Sequence, residues 1–178
     1  MSTRKIAFAA VIGAVYAALT ILLAPISYGP IQFRISEVLC ILPFFFPFSV
    51  WGLFIGCIIA NLLSAYGALD IVFGSLATLT AALCTMKLGR LSHGNIPVKA
   101  LACLPPVIIN GFVVGALIAY ETTTASIAFW PSFIINSLQV GFGEFVVLFA
   151  LGLPALIILP QTRFFKTLSA LYLRSINM

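Results

Sequence analysis

From Pro131 to Leu159 the chain runs apolar almost without interruption: P-S-F-I-I-N-S-L-Q-V-G-F-G-E-F-V-V-L-F-A-L-G-L-P-A-L-I-I-L. Four more such runs precede it, Ile6–Ala24, Ile35–Ala65, Ile71–Met86 and Ala100–Tyr120. Stretches of this length and character span membranes as helices. Barrel strands would alternate apolar and polar residues, and these runs are apolar on both parities. Composition agrees: 62% of residues are hydrophobic, only 7% are charged, and the mean hydropathy is +1.20. Soluble domains carry roughly 25% charged residues, so this chain lacks the groups to cover a water-facing surface. The expectation is one all-α integral membrane domain over residues 1–178, with no segment polar enough for a separate soluble module.

The first run follows Arg4 and Lys5, as a signal peptide would. It exceeds the roughly 7–15 residues of a signal h-region and lacks a clear A-x-A exit, so it reads as a retained helix. Cys40, Cys57, Cys84 and Cys103 fall singly inside apolar runs, and His93 is the single histidine. That pattern gives no metal site and no disulfide framework, and the cysteines read as small packing residues.

Charge placement sets the number of spans. As one helix, the run Ile35–Ala65 would be about 46 Å long against a hydrocarbon core of about 30 Å. Pro43 and Pro47 interrupt it. Read as two short spans with a turn near Pro47-Phe48-Ser49, it places Arg4, Lys5, Lys87, Arg90, Lys99, Arg163, Lys166 and Arg174 on the cytoplasmic side, with Arg34 alone outside. The expectation is therefore six transmembrane helices with both termini inside. The net charge of +5 then reflects orientation, not nucleic-acid binding.

That topology sorts the polar residues by depth. Glu37, Asn61 and Asp70 fall near the outer face, with Ser75 and Thr78 below Asp70. Asn110 lies mid-helix, Asn136 and Gln139 are outer, and Glu144 is central. An ionisable group at such depth costs at least a few kcal/mol and reads by default as functional; the alternative is an interhelical hydrogen-bond clamp. A pore needs polar lining throughout, so polar residues confined to the outer half point to a pocket open to the outside. In the loop A-P-I-S-Y-G-P-I-Q-F-R, Tyr28, Phe33 and Arg34 are placed to cover such a pocket, or equally to sit in the interfacial belt with Trp130.

On the first helix, Ala10, Ala14 and Ala18 repeat at four-residue spacing beside Ala9, Gly13 and Ala17. Small residues so spaced let another helix approach closely. Spacing alone favours packing within the bundle over contact with another subunit. There is no G-x-x-x-x-G-K-[ST] for ATP, no H-E-x-x-H and no G-x-S-x-G, so no catalytic residue is assigned. Gly141-Phe142-Gly143-Glu144 superficially resembles the G-x-G-D of intramembrane aspartyl proteases, but with Glu for Asp and only Asp70 as partner. Two carboxylates must be adjacent to share a proton. No internal repeat is visible, which weakens the case for a secondary transporter.

The strings A-P-I-S-Y-G-P-I-Q-F-R-I-S-E-V-L at 24–39, G-L-F-I-G-C-I-I-A-N-L-L-S at 52–64, L-D-I-V-F-G-S-L-A-T-L at 69–79 and V-G-F-G-E at 140–144 resemble the QueT family. These proteins are substrate-binding S components of energy-coupling factor (ECF) transporters. The resemblance implies a six-helix bundle in the bacterial cell membrane that binds a vitamin-like molecule from outside. It implies as partners a transmembrane coupling (T) protein and two cytoplasmic ATPases, and no cofactor. It also raises the case for Ala10, Ala14 and Ala18 as the coupling-protein contact. The implied substrates are queuosine precursors, deazaguanines bearing a nitrile or aminomethyl group. A carboxylate accepts the adjacent N–H and amino donors of such a ring as a bidentate pair, and an amide supplies a donor to its carbonyl. Glu144 as acceptor, Asn61, Asn110 and Gln139 as amide partners, and Glu37 or Asp70 near a cation would suffice, with Arg34 at the outer rim. Two other functions remain open: a self-sufficient proton-coupled carrier using Glu144, and a structural membrane protein whose polar groups are clamps.

Overall fold

The computed structural model describes residues 3–29, 31–91, 95–124 and 127–176; His93 lies outside them. Helices are the regular structure of these residues, without a strand among them. Helix α1 (Thr3–Leu22) is followed by a short turn of helix at Ala24–Ser27 and a 3-10 helix at Ile35–Phe44. Then come α2 (Ser49–Asn61), α3 (Gly67–Leu91), α4 (Ile96–Thr122), α5 (Phe129–Gln161) and α6 (Arg163–Ile176). Four of these, α1, α3, α4 and α5, are long and apolar enough to cross a membrane. The 3-10 helix and α2 are shorter apolar segments.

The divided run 35–65 thus breaks at Phe45–Phe48, between Pro43 and Ser49. Its first half is a ten-residue 3-10 helix, unusually long for a geometry seldom sustained past 3–4 residues. At about 2.0 Å per residue it reaches farther than an α-helix of equal length. Its threefold period stacks Glu37, Cys40 and Pro43 on one buried face.

Two seams of small residues hold the helices close. Ala9 and Gly13 of α1 lie against Gly52 and Gly56 of α2, so tightly that a Cβ added to Gly13 would come within 2.7 Å of the Gly52 carbonyl oxygen. Gly111 of α4 meets Gly141 of α5, where an added Cβ would stand 3.2 Å from the Gly141 Cα. In a bilayer, close backbone approach of this kind is a main source of helix–helix attraction. Of the two small-residue rows on α1, Ala9, Gly13 and Ala17 are buried, while Ala10, Ala14 and Ala18 are exposed.

At one end of the bundle, Phe8, Phe45, Phe46, Phe165 and Tyr172 form an aromatic cluster with ring centroids 4.8–6.4 Å apart. Edge-to-face pairs at such distances favour association beyond their buried area. The cluster ties amphipathic α6 to α1 and to the turn after the 3-10 helix, and the Phe48 N–H donates to Tyr172 Oη at 3.3 Å.

Candidate functional site

The polar residues gather away from that aromatic end. Glu37, Asn61 and Asp70 are fully buried, and Arg34, Asn110, Glu144 and Gln32 are no more than 4% exposed. Three elements depart from α-helical geometry to place them. The 3-10 helix carries Ser36 and Glu37. A π-turn at Asp70–Gly74 opens α3 around Asp70; such bulges are frequent at functional sites. Gly74 is required there, because a Cβ would strike Asp70 Oδ1 and approach Asn61 Nδ2 to 3.0 Å. Third, the strap before the 3-10 helix dips inward: Gln32 has a positive φ of 52°, rare for a residue other than glycine. The strap carbonyls of Ile31 and Gln32 lie against Gly143, where a Cβ would meet them, next to Glu144.

The contacts form two linked groups. In the first, Arg34 Nη2 pairs with Asp70 Oδ2 at 3.4 Å, and the guanidinium sits 5.4 Å from the Tyr28 ring centroid. Tyr28 in turn donates to the Ala60 carbonyl at 2.6 Å. Asn61 Nδ2 donates to the Asp70 carbonyl at 2.9 Å and reaches Ser75 Oγ at 3.5 Å. In the second, Glu37 accepts from the Tyr16 hydroxyl through one oxygen and from the Cys40 thiol at 2.9 Å through the other. Thr20 and Ser36 hydroxyls meet at 2.6 Å beside them. Glu144 Oε1 accepts from Asn110 Nδ2 at 2.9 Å. The two groups adjoin at the strap, where Gly143, next to Glu144, packs against the carbonyls of Ile31 and Gln32, two residues before Arg34.

This polar centre is only half satisfied. Glu144 Oε2, Asp70 Oδ1, Asn61 Oδ1 and Asn110 Oδ1 are buried acceptors without a hydrogen-bond partner, and Gln32 Nε2 and Arg34 Nε are buried donors without one. Each such group costs about 1–3 kcal/mol. Several in one place call for an explanation, whether bound water, an ion, a ligand or a functional role.

The structure therefore brings together Glu37, Asn61, Asp70, Asn110, Glu144 and Arg34. It does not bring in Gln139, which is half-buried and makes no hydrogen bond to the cluster, nor Asn136, whose amide returns to the Ser132 carbonyl at 2.8 Å. Phe33 instead lines an apolar surface cleft together with Val146 and Leu151. Sequence reasoning missed Tyr16, Thr20 and Gln32. The polar residues are packed closed. A cavity of about 500 Å³ between α3 and α4, lined by residues including Phe73, Phe112 and Tyr120, contains none of them. Among the described residues, no group of three or more potential metal-ligating side chains comes together.

An apolar helical bundle with four helices long and apolar enough to cross a membrane, enclosing a buried and incompletely paired charged centre, defines a multi-pass membrane protein. A protein-family model described as QueT transporter matches residues 6–161, and the chain belongs to that family of transporters. It is a multi-pass protein of the bacterial cell membrane. A curated relative, the queuosine precursor transporter QueT of Lactococcus lactis subsp. cremoris (strain MG1363), is 43% identical over 79 residues. That match covers 43% of this chain and 46% of the relative, so it spans less than half of either. No solved structure matches the chain.

Proposed function

We propose that the chain is the substrate-binding subunit of an ATP-driven ECF-type importer, and that it binds a queuosine precursor at the Glu144 centre. The observation that carries this reading is the set of unpaired buried acceptors at Glu144, Asn110, Asp70 and Asn61, together with the unpaired buried donors of Gln32 and Arg34. A deazaguanine presents the complement: an N–H and an amino group side by side for a carboxylate, and a carbonyl for an amide donor. Glu144 accepts the ring donors, Asn110 holds its carboxylate in place, and Gln32 is the donor for the ring carbonyl. Gln139 becomes a peripheral partner. Because the centre is closed, ligand entry requires the strap bearing Gln32 and Arg34 to move.

The reading gives six spans, the 3-10 helix and α2 counting as two short ones, with both termini and the Lys87–Lys99 segment cytoplasmic. The exposed row Ala10, Ala14 and Ala18 is then the coupling-protein contact. Its support is a groove of about 310 Å³ in which Ala10 and Ala14 lie beside Trp51, Ile55 and Ile59, open to a partner helix.

The test is affinity purification from native membranes followed by reconstitution in liposomes. Recovery of a transmembrane coupling protein and two ATPases, with deazaguanine uptake that needs ATP, is the expected result. Uptake by the chain alone, driven by a proton gradient and abolished in Glu144→Gln, would replace this reading with a proton-coupled carrier. Failure of the chain to bind any deazaguanine would remove it.

A further inference from the structure

Helix α6 differs from the spanning helices in having two distinct faces. At helical spacing Phe165, Leu168 and Tyr172 fall on one side, and Arg163, Lys166 and Thr167 on the other. Phe165 is buried in the aromatic cluster, while Arg163, Lys166 and Thr167 are exposed. A helix with Lys and Arg on one face and Phe and Leu on the other lies in a membrane interface. Between its apolar side and α1 runs a groove of about 550 Å³, with Phe8, Val11, Leu42, Leu168 and Leu171 on its walls. Among the described residues that line it, Arg4 alone is charged. Val11 and Leu171 remain 62% and 54% exposed, so the described chain does not cover the groove.

The charge around this groove is of one sign. Lys5 follows Arg4 on α1, and Arg90 closes α3 next to Gly89, which packs against the Phe44 carbonyl beside the aromatic cluster. All four acids lie elsewhere: Glu37, Asp70 and Glu144 are buried in the polar centre, and Glu121 stands near the far end of α4. Orientation in the membrane accounts for basic residues at a helix end. It does not account for an open apolar groove with a guanidinium among its walls. The two features together complement an anionic phospholipid, which brings an acyl chain for the groove and a phosphodiester for Arg4. A free anion would leave the groove unfilled, and a zwitterionic lipid would set its own cation among the basic residues. Ala7 and Val11 belong to a helix apolar and long enough to cross the membrane, so the groove is continuous with the surface that acyl chains already cover.

We propose that the groove between α1 and α6 seats an anionic phospholipid, its acyl chain against Val11, Leu168 and Leu171 and its phosphate on Arg4. Arg163 and Lys166 draw anionic headgroups to the same end. A guanidinium donates two parallel hydrogen bonds to a phosphate, whereas the apolar walls do not tell one lipid from another. Headgroup charge therefore sets the preference, and chain burial sets the strength. Each basic residue near an anionic surface tightens association about fivefold. The seat lies away from the Glu144 centre and is independent of which solute that centre holds.

The experiment is native mass spectrometry of the detergent-purified full chain, supplied with equal amounts of phosphatidylglycerol and phosphatidylcholine carrying identical acyl chains. Phosphatidylglycerol should be retained at least about fivefold over phosphatidylcholine. In Arg4→Gln that preference should fall by about fivefold. Val11→Trp, which fills the groove, should instead lower retention of both lipids. Equal retention of the two lipids by the wild type, or of neither, would overturn the proposal. A preference unchanged in Arg4→Gln would overturn the seat at Arg4. A photoreactive side chain at position 171, activated in native membranes, gives a second readout that needs neither variant. Its expected adduct is a phospholipid. An adduct with another protein in its place would assign this face to a partner subunit and overturn the proposal.

Discussion

The two ends of this bundle are held together in opposite ways. Around Phe8, Phe46, Phe165 and Tyr172 the contacts are ring against ring, and their geometry is tolerant because no atom is left wanting a partner. Around Glu37, Asp70 and Glu144 the contacts are directional, and six amide, carboxylate and guanidinium atoms have none. A bundle needing only stability would repeat the first arrangement at both ends. Burying an ion pair is often no better than well-packed apolar residues. The second arrangement therefore makes sense as preorganisation for something that completes it.

The comparison breaks most visibly at Arg34. Arg34→Met should leave Asp70 buried without its counter-charge and cost about 3–5 kcal/mol of stability. Thermal unfolding of the purified variant measures this, and a midpoint equal to wild type would mean the pair is idle. Glu144→Gln comes next. It keeps the shape but presents a donor to the ligand's donors, losing a charge-assisted bond of about 1.5–3 kcal/mol and stranding a buried group for about 1–3 more. Affinity for the aminomethyl deazaguanine should drop on the order of a hundredfold or more, with unfolding little changed. Under a clamp, the order would reverse: stability would fall and affinity, if any, would hold.

Away from both ends, Ala14→Leu places bulk on the exposed row of α1. Uptake in cells should fall by on the order of tenfold through lost helix approach, with ligand affinity in detergent unchanged. Equal loss of both would make this row part of the site's own packing. The smallest effect belongs to the aromatic end. Tyr172→Phe removes the oxygen that accepts from the Phe48 N–H and should cost about 1 kcal/mol of stability, with no change in ligand affinity. A change there would couple the two ends.

Much of the polar end was legible in the sequence. A carboxylate or amide inside an apolar run has few explanations, so Glu144, Asn110 and Asn61 stood out by position alone, and the prolines at 43 and 47 marked where the second run divides. Tyr16 and Thr20 did not stand out, because both residue types have bland uses in a membrane helix. Thr20 also bonds back to the Tyr16 carbonyl at 2.9 Å, as threonines in apolar helices commonly do. Tyr16, on a helix that stood out for its small residues, nonetheless supplies a hydroxyl donor to Glu37. Gln32 was hidden for another reason: a glutamine in a loop is ordinarily solvated, and nothing local announces that the strap turns inward through a left-handed residue. The 3-10 path of Ile35–Phe44 has no clear sequence signature beyond Pro43, since its apolar residues suit an α-helix equally well. Amphipathic α6 went unread although Phe165, Leu168 and Tyr172 recur at helical spacing.

The central claim is that the unpaired charged centre is a ligand site and not an interhelical clamp. Mass spectrometry of small molecules released from wild-type and Glu144→Gln protein, purified side by side from cells supplied with queuosine precursors, tests it most directly. The account predicts a deazaguanine released from the wild type and none from the folded variant. Equal release from both proteins, or none from a wild type that also fails to bind added deazaguanine, would contradict it.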